Sequence, residues 1–309
     1  MKQVAFGKTG LSVSVLGFGA APVGLLKTEQ ERVASLLNML LDEGVNLIDT
    51  AAGYAGSEEA IGKAVAHRRD EYVLVSKCGQ SFEDLPGAAW SPEVITATID
   101  RALKRLQTDH LDVMLLHSCG MDVLQKGEAL GALAKAREAG KIRFAGYSGD
   151  NENVADAATL PDVAVVETSV NFVDQANIEG FLPLALERGI GVIAKRPVAN
   201  AAWKSLDEQP GFYRDYAKTY HERFQQMGLR LEDLGLGDEV TDWSQVALRF
   251  TLSQAGVSTA IIGTTNSDNA RRNIETANQG ALPTEALQKI NAAYQEAQQK
   301  SGETWAAQT

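Results

Sequence analysis

Eight times between Val15 and Gln279 the chain passes from a short apolar run into a longer stretch of helical periodicity. The apolar runs are residues 15–19, 45–49, 72–77, 111–117, 142–148, 163–170, 191–195 and 259–262, all of strand length. The segments between them carry helix punctuation. Thr28 with Glu31 reads as a capping box heading a helix to Glu43, Pro92 takes the first helical position of 91–106, and Gly44, Gly140 and Gly189 each close a helix. Strands joined through helices pair in parallel. Eight such units with no change of composition between them predict an α/β chain closed into a (β/α)8 TIM barrel. One domain over residues 1–309 is expected. A β-hairpin precedes the barrel (4–6, a turn at Lys8-Thr9-Gly10, then 11–15), and a C-terminal surface helix, 283–299, lies beyond it. Residues 197–242 read as a long, aromatic-rich loop with helical pieces. A doubly wound open sheet is the alternative fold. It wants G-x-G-x-x-G after its first strand, and Gly17-Phe18-Gly19-Ala20-Ala21-Pro22 has proline in place of the third glycine.

Charge narrows the function. A net charge of -11 and a pI near 4.9 argue against nucleic acid, whose phosphates demand a basic footprint. Two cysteines, Cys78 and Cys119, cannot build a disulfide framework, and with the four histidines they show no metal-ligand spacing. The uncharged run 11–26, preceded by Lys2 and Lys8, imitates a signal-peptide core. Its alternation through Leu16, with Gly17 and Gly19 next, reads better as a strand feeding a tight loop. No apolar stretch reaches the roughly 20 residues that span a bilayer. A soluble, cytoplasmic protein is expected, with no membrane or nucleic-acid partner and no oligomeric state specified.

The second, third and fourth strands end in Asp49, Lys77 and His117, and Tyr54 follows Asp49 by five residues. In a parallel barrel all strand carboxyl ends meet at one face, where active sites lie. Asp49 and Lys77 on neighbouring strands form an ion pair that is structural or functional. A phenol titrates near ~10 in water, and a neighbouring ammonium lowers that value. Tyr54 beside Lys77 is therefore expected to work as a proton donor and acceptor, with Asp49 holding the lysine charged. His117 is either a satisfied core histidine or the group that orients a carbonyl.

The stretch Asp49-Thr50-Ala51-Ala52-Gly53-Tyr54-Ala55-Gly56-Ser57-Glu58, then Ser76-Lys77 and Leu115-Leu116-His117-Ser118, resembles the three signature segments of the aldo-keto reductase superfamily in order and spacing. The resemblance runs from the hairpin to about Ala277. It implies a barrel enzyme that interconverts carbonyls and alcohols with NAD(P)(H), with a catalytic tetrad at Asp49, Tyr54, Lys77 and His117. Tyr54 is then the general acid in reduction and the base in oxidation.

The same resemblance implies cofactor contacts. Ser148 matches a serine near the nicotinamide carboxamide, although Gly149 stands where asparagine often comes next. Glu167 replaces the usual carboxamide-binding glutamine. An anion there either favours the cationic oxidised ring or simply pairs with Lys195 or Arg196. Those two cations stand where many members carry a stacking aromatic ring, and a pyrophosphate contact is their other reading. Ile262-Gly263-Thr264-Thr265-Asn266 resembles the segment leading into a phosphate-binding helix N-terminus with free N–H groups. Asn273 matches an asparagine near the adenine, and Arg271 or Arg272 is placed to reach a 2′-phosphate or to form a solvated face. NADP(H) is the expected cofactor, with NAD(H) open, and the partner is a small-molecule carbonyl or alcohol. Cys78 and Cys119 read as packing residues, with a redox switch as the alternative. Phe82, Trp90, Trp203, Phe212, Tyr213 and Tyr216 fall in loops assigned to the substrate face, where they line a pocket or pack the loops. Two other functions share the scaffold: a Schiff-base aldolase using Lys77, and a cofactor-binding sensor or accessory subunit with little turnover.

Overall fold

In the computed structural model residues 1–209, 211–237 and 240–308 are described; the side chains at 211–213, 215 and 216, including Phe212, Tyr213 and Tyr216, lie outside the described residues. β1 (Gln3–Ala5) and β2 (Ser12–Ser14) form the antiparallel hairpin. The barrel strands are β3 (Leu16–Gly19), β4 (Leu47–Asp49), β5 (Val73–Cys78), β6 (Leu111–His117), β7 (Ile142–Ser148), β8 (Val165–Ser169), β9 (Gly191–Lys195) and β10 (Thr259–Ile262). They run parallel and close in chain order, with β10 pairing to both β9 and β3. The predicted TIM barrel with its hairpin is met, and the open sheet is excluded.

Parallel pairing brings every strand's carboxyl end to one mouth. Register aligns that rim: Gly19 faces Asp49, His117 faces Ser148, and Ser148 faces Glu167. Leu47, Val75, Val113, Leu115, Val165 and Ile193 share the interior cluster with Phe6 and Val13 of the hairpin. The hairpin closes the opposite end, where Lys8 N donates to Gly189 O at 2.8 Å. Gly7 has φ +56 there, and a Cβ on it would sit 2.4 Å from Gly191 N and 2.5 Å from Gly189 O. Backbone on both sides cannot yield, so Gly7→Ala is expected to lower stability by roughly 2 kcal/mol or more. The measurement is a urea midpoint at unchanged slope; a midpoint equal to the parent's would disprove the packing argument.

Four segments differ from the periodicity reading. The first long helix is Gln30–Asp42, and Thr28 caps nothing, because its hydroxyl turns back to Pro22 O at 3.1 Å. After β6 the chain makes two helices, Met121–Lys126 and Glu128–Glu138, broken where Gly127 adopts φ 73. Before β9 it makes Ala176–Gly180 and Leu182–Arg188. Within 197–242 lies a 17-residue helix, Gly211–Met227. Its buried face is Ala217, Tyr220, Phe224 and Met227, a helical spacing that the aromatic density of the segment disguises. Phe172 and Phe224 pack on Trp243 at ring distances of 5.5 and 5.0 Å, giving a second core beside the barrel.

The predicted C-terminal helix is Thr284–Ser301. The tail beyond it returns to the barrel mouth. Trp305 is buried against Tyr294 and Arg223, Asn151 and Ala307 exchange hydrogen bonds of 3.0 and 2.7 Å, and Gln308 O accepts from Ser169 Oγ at 3.2 Å and from Arg196. Among the described residues no helix is long and apolar enough to cross a membrane.

Candidate active site

Tyr54 is presented by the loop after β4, which is fastened at both ends. Ser57 N donates to Tyr54 O at 2.8 Å, and Ser57 Oγ meets Thr50 Oγ1 at 2.9 Å and donates to Ala20 O at 3.1 Å. Tyr54 and His117 are half-buried at the mouth and meet edge to face, with ring centroids 6.2 Å apart. Beneath them Lys77 is 1 % exposed. Its Nζ lies 2.5 Å from Asp49 Oδ1, 3.0 Å from Thr50 O and 3.1 Å from Glu167 Oε2, and 5.5 Å from the centre of the Tyr54 ring. The strand ends therefore bring Asp49, Tyr54, Lys77 and His117 together, and Glu167 joins them from across the barrel.

Burial and charge set the protonation states. Burial pushes Tyr54 up to about 12; Lys77 pulls the other way, and Asp49 and Glu167 oppose Lys77. The expectation of a phenol lowered by its lysine is thus corrected: desolvation and two carboxylates outweigh one ammonium. Burial, then Lys77, push His117 down to about 4, so its ring is neutral at neutral pH. Burial alone would discharge Lys77, but Asp49 and Glu167 hold it above its ordinary value. Burial and the neighbouring Glu167 raise Asp49 well above the carboxylate range. Burial also opposes the charge on Glu167, yet Lys77, Lys195 and His117 together leave it below that range.

The pairing of Glu167 with Lys195 or Arg196 is not found. Lys195 Nζ pairs with Asp150 Oδ2 at 2.8 Å, and Arg196 donates to Ser169 Oγ at 3.2 Å and to Gln308 O. Asp150 is buried, and its Oδ1 accepts from Ser169 N, Thr168 Oγ1 and Asn177 Nδ2 at 2.7, 3.0 and 3.2 Å. Sequence reasoning misses Asp150, although an acid two residues beyond the Ser148 strand end is a signal of the same kind as the others. Ser148 Oγ donates to Glu167 Oε1 at 3.3 Å.

Beyond β10, Gly263 approaches β3 so closely that a Cβ would meet Gly19 O at 2.7 Å. The helix Ser267–Asn278 comes next, carrying Asn273 half-buried. Its first N–H groups are not all free as expected: Asn266 Oδ1 accepts from Asp268 N and Asn269 N at 2.8 and 3.2 Å, and Thr264 Oγ1 accepts from Asn266 N at 3.1 Å. Thr265 lies between them, half-buried. Arg271 pairs with Glu43 at 3.2 Å and Arg272 donates to Asn269 Oδ1, the solvated-face reading. Trp90 lies over Gly79, Phe82 stacks with Arg101 at 4.5 Å, and Trp203 packs into the second core, so these three pack loops. Cys78 and Cys119 are buried, and burial raises both thiols, Cys119 to about 12, which removes the reactive thiolate a redox switch needs.

Residues 15–295 match the aldo/keto reductase family. A Bacillus halodurans aldo-keto reductase, solved in its holo form, superposes with a TM-score of 0.79 at 26% identity, covering 95% of this chain and 96% of that one. An uncharacterized oxidoreductase, YqkF, of Bacillus subtilis (strain 168) is 27% identical over 94% of this chain and 95% of its own length. L-galactose dehydrogenase of Arabidopsis thaliana is 33% identical over 63% of this chain and 65% of its own length. With its closed barrel and this match over most of its length, the chain belongs to the aldo/keto reductase family, a family of NAD(P)-dependent oxidoreductases.

Proposed function

We propose that the protein interconverts an aldehyde, ketone or sugar and its alcohol, with Tyr54 moving the proton. The observation that carries this reading is the convergence of a phenol and a neutral imidazole above a buried, charged lysine at the barrel mouth. Bound NAD(P)H supplies hydride to the carbonyl carbon. Tyr54, neutral at neutral pH, carries the proton that the carbonyl oxygen takes up in reduction. His117, also neutral, donates a hydrogen bond that orients that oxygen, and Asp49 and Lys77 act on Tyr54 through its electrostatics.

The donor set along β7 to β10 fits an elongated anionic cofactor. Ser148 and Glu167 stand beside the tetrad for the carboxamide, and Lys195 and Arg196 come next for the pyrophosphate. Gly263, Thr264, Thr265 and Asn266 would meet the phosphate and Asn273 the adenine, with Gly263 allowing the segment to pack closely on Gly19 O and Pro22. Lys195 would act while paired to Asp150, and Arg196 by exchanging the Gln308 carbonyl. NADP(H) is the proposed cofactor, with NAD(H) as the second candidate, in a cytoplasmic protein folded as one domain over 1–309.

A Schiff-base aldolase needs a neutral Lys77, and Asp49 and Glu167 keep it charged. The test is a steady-state screen at about pH 7 of aldehydes, ketones, sugars and sugar alcohols with both cofactors, the L-galactose dehydrogenase relative placing sugars in the panel. Turnover with at least one substrate is expected. Cofactor binding without turnover across the panel would replace this reading with the sensor.

A further inference from the structure

We infer that Glu167 makes the site select the oxidised cofactor over the reduced one, through a second carboxyl group placed on the lysine that Asp49 also contacts. The inference rests on the proposed placement of the nicotinamide against Ser148 and Glu167. Its geometry is a row of alternating charges across the barrel mouth: Asp49, Lys77, Glu167, Lys195, Asp150, with salt bridges of 2.5 and 3.1 Å on Lys77 and 2.8 Å between Lys195 and Asp150. The row holds three carboxyl groups and two ammonium groups, all within the rim and largely out of water. A neutral glutamine at 167 would leave the row balanced.

With Glu167, the row carries an extra negative charge or binds a proton to cancel it. Two carboxyl groups that share one ammonium repel each other, and burial together with that repulsion makes Asp49 the readier of the two to take up a proton. A cationic ring beside Glu167 supplies the missing positive charge and makes that proton dispensable; the reduced ring, being neutral, does neither. The oxidised cofactor should therefore bind more tightly as pH rises, with a proton released on binding, while the reduced cofactor should not respond in that way.

Other groups face the same space. His117 on β6 is neutral, Tyr54 is a neutral phenol, and Ser148 on β7 donates to Glu167. Behind Lys195, Arg196 is bonded to Ser169 and Gln308, and Asp174 lies farther out with Tyr220 donating to it at 2.7 Å. Burial raises Asp174 to about 6, so its own titration belongs to the control and not to the effect. Substituting Glu167 separates the two, since Asp174 remains.

The decisive measurement is the dissociation constant of oxidised and of reduced cofactor, by fluorescence titration from about pH 6 to pH 9, for the parent, Glu167→Gln and Glu167→Asp. Glu167→Gln should shift the ratio of the two constants about ten-fold or more towards the reduced form. It should also weaken the pH dependence, because the charge on Glu167 is, after burial, the next cause that raises Asp49. Glu167→Asp, which keeps the charge, should retain the parent's ratio. An unchanged ratio in Glu167→Gln overturns the inference and leaves the oxidoreductase reading intact. If Glu167→Gln does not fold, the parent decides alone: an oxidised-cofactor affinity no more pH-dependent than the reduced overturns it. Failure of the parent to bind either cofactor overturns both readings.

Discussion

Tyr54→Phe is expected to lower turnover about a hundred- to ten-thousand-fold while leaving cofactor affinity within about two-fold. The phenol ring packs edge-on to His117 at the mouth, above the buried lysine, so the substitution keeps the ring contact and removes the exchangeable proton. The pH profile gives an independent check. Tyr54 pushed up to about 12 is protonated throughout the neutral range, and His117 pushed down to about 4 is neutral there. A donor must carry its proton, so reduction should hold a plateau above the imidazole's value and fall only as pH rises towards the phenol's. Oxidation, which needs the base form, should instead climb with pH. Turnover in Tyr54→Phe within ten-fold of the parent would remove the phenol from the chemistry, and loss of cofactor binding would assign it a structural role.

Strand ends are legible in the sequence because they depend on local pattern. Asp49, Lys77 and His117 each close an apolar run, and parallel topology alone brings such ends to one face. Partners across the mouth are not legible in the same way. Whether Glu167 on β8 meets Lys195 on the next strand or Lys77 three strands away depends on barrel radius and side-chain direction, which no spacing encodes. The sign of the Tyr54 shift escapes sequence reasoning for a related reason. Proximity to Lys77 can be guessed from residue order, but desolvation depends on how deeply the loop after β4 is packed. The helix Gly211–Met227 shows a different failure, since its aromatic density masks the spacing of Ala217, Tyr220, Phe224 and Met227. The closing tail is invisible because Trp305 to Gln308 have no periodicity; their placement comes from Asn151, Ser169 and Arg196 at the mouth.

Lys77→Met should be the most damaging change at the site, costing about 3–5 kcal/mol of stability at neutral pH. The lysine is buried with three oxygen partners, and removing it leaves Asp49 and Glu167 facing each other without a cation. Nearby apolar packing does not compensate, because burial of an unpaired carboxylate is what carries the cost. The pH response comes from the sign of the carboxyl shifts. In the variant, burial and mutual repulsion raise both folded-state values above the unfolded ones. Such groups contribute stability that is fully present below the unfolded value and lost as pH rises through the folded one. The deficit relative to the parent should therefore shrink at about pH 5 and widen at about pH 8. Glu167→Gln added to Lys77→Met should recover part of the loss, because one buried charge is easier to protonate or hydrate than two, and the two sites are in contact and need not add. Urea midpoints for the single and double variants at both pH values would show this. A single variant within about 1 kcal/mol of the parent, independent of pH, would mean that water or a rearranged partner already screens the pair, and the electrostatic account of Tyr54 would fall with it.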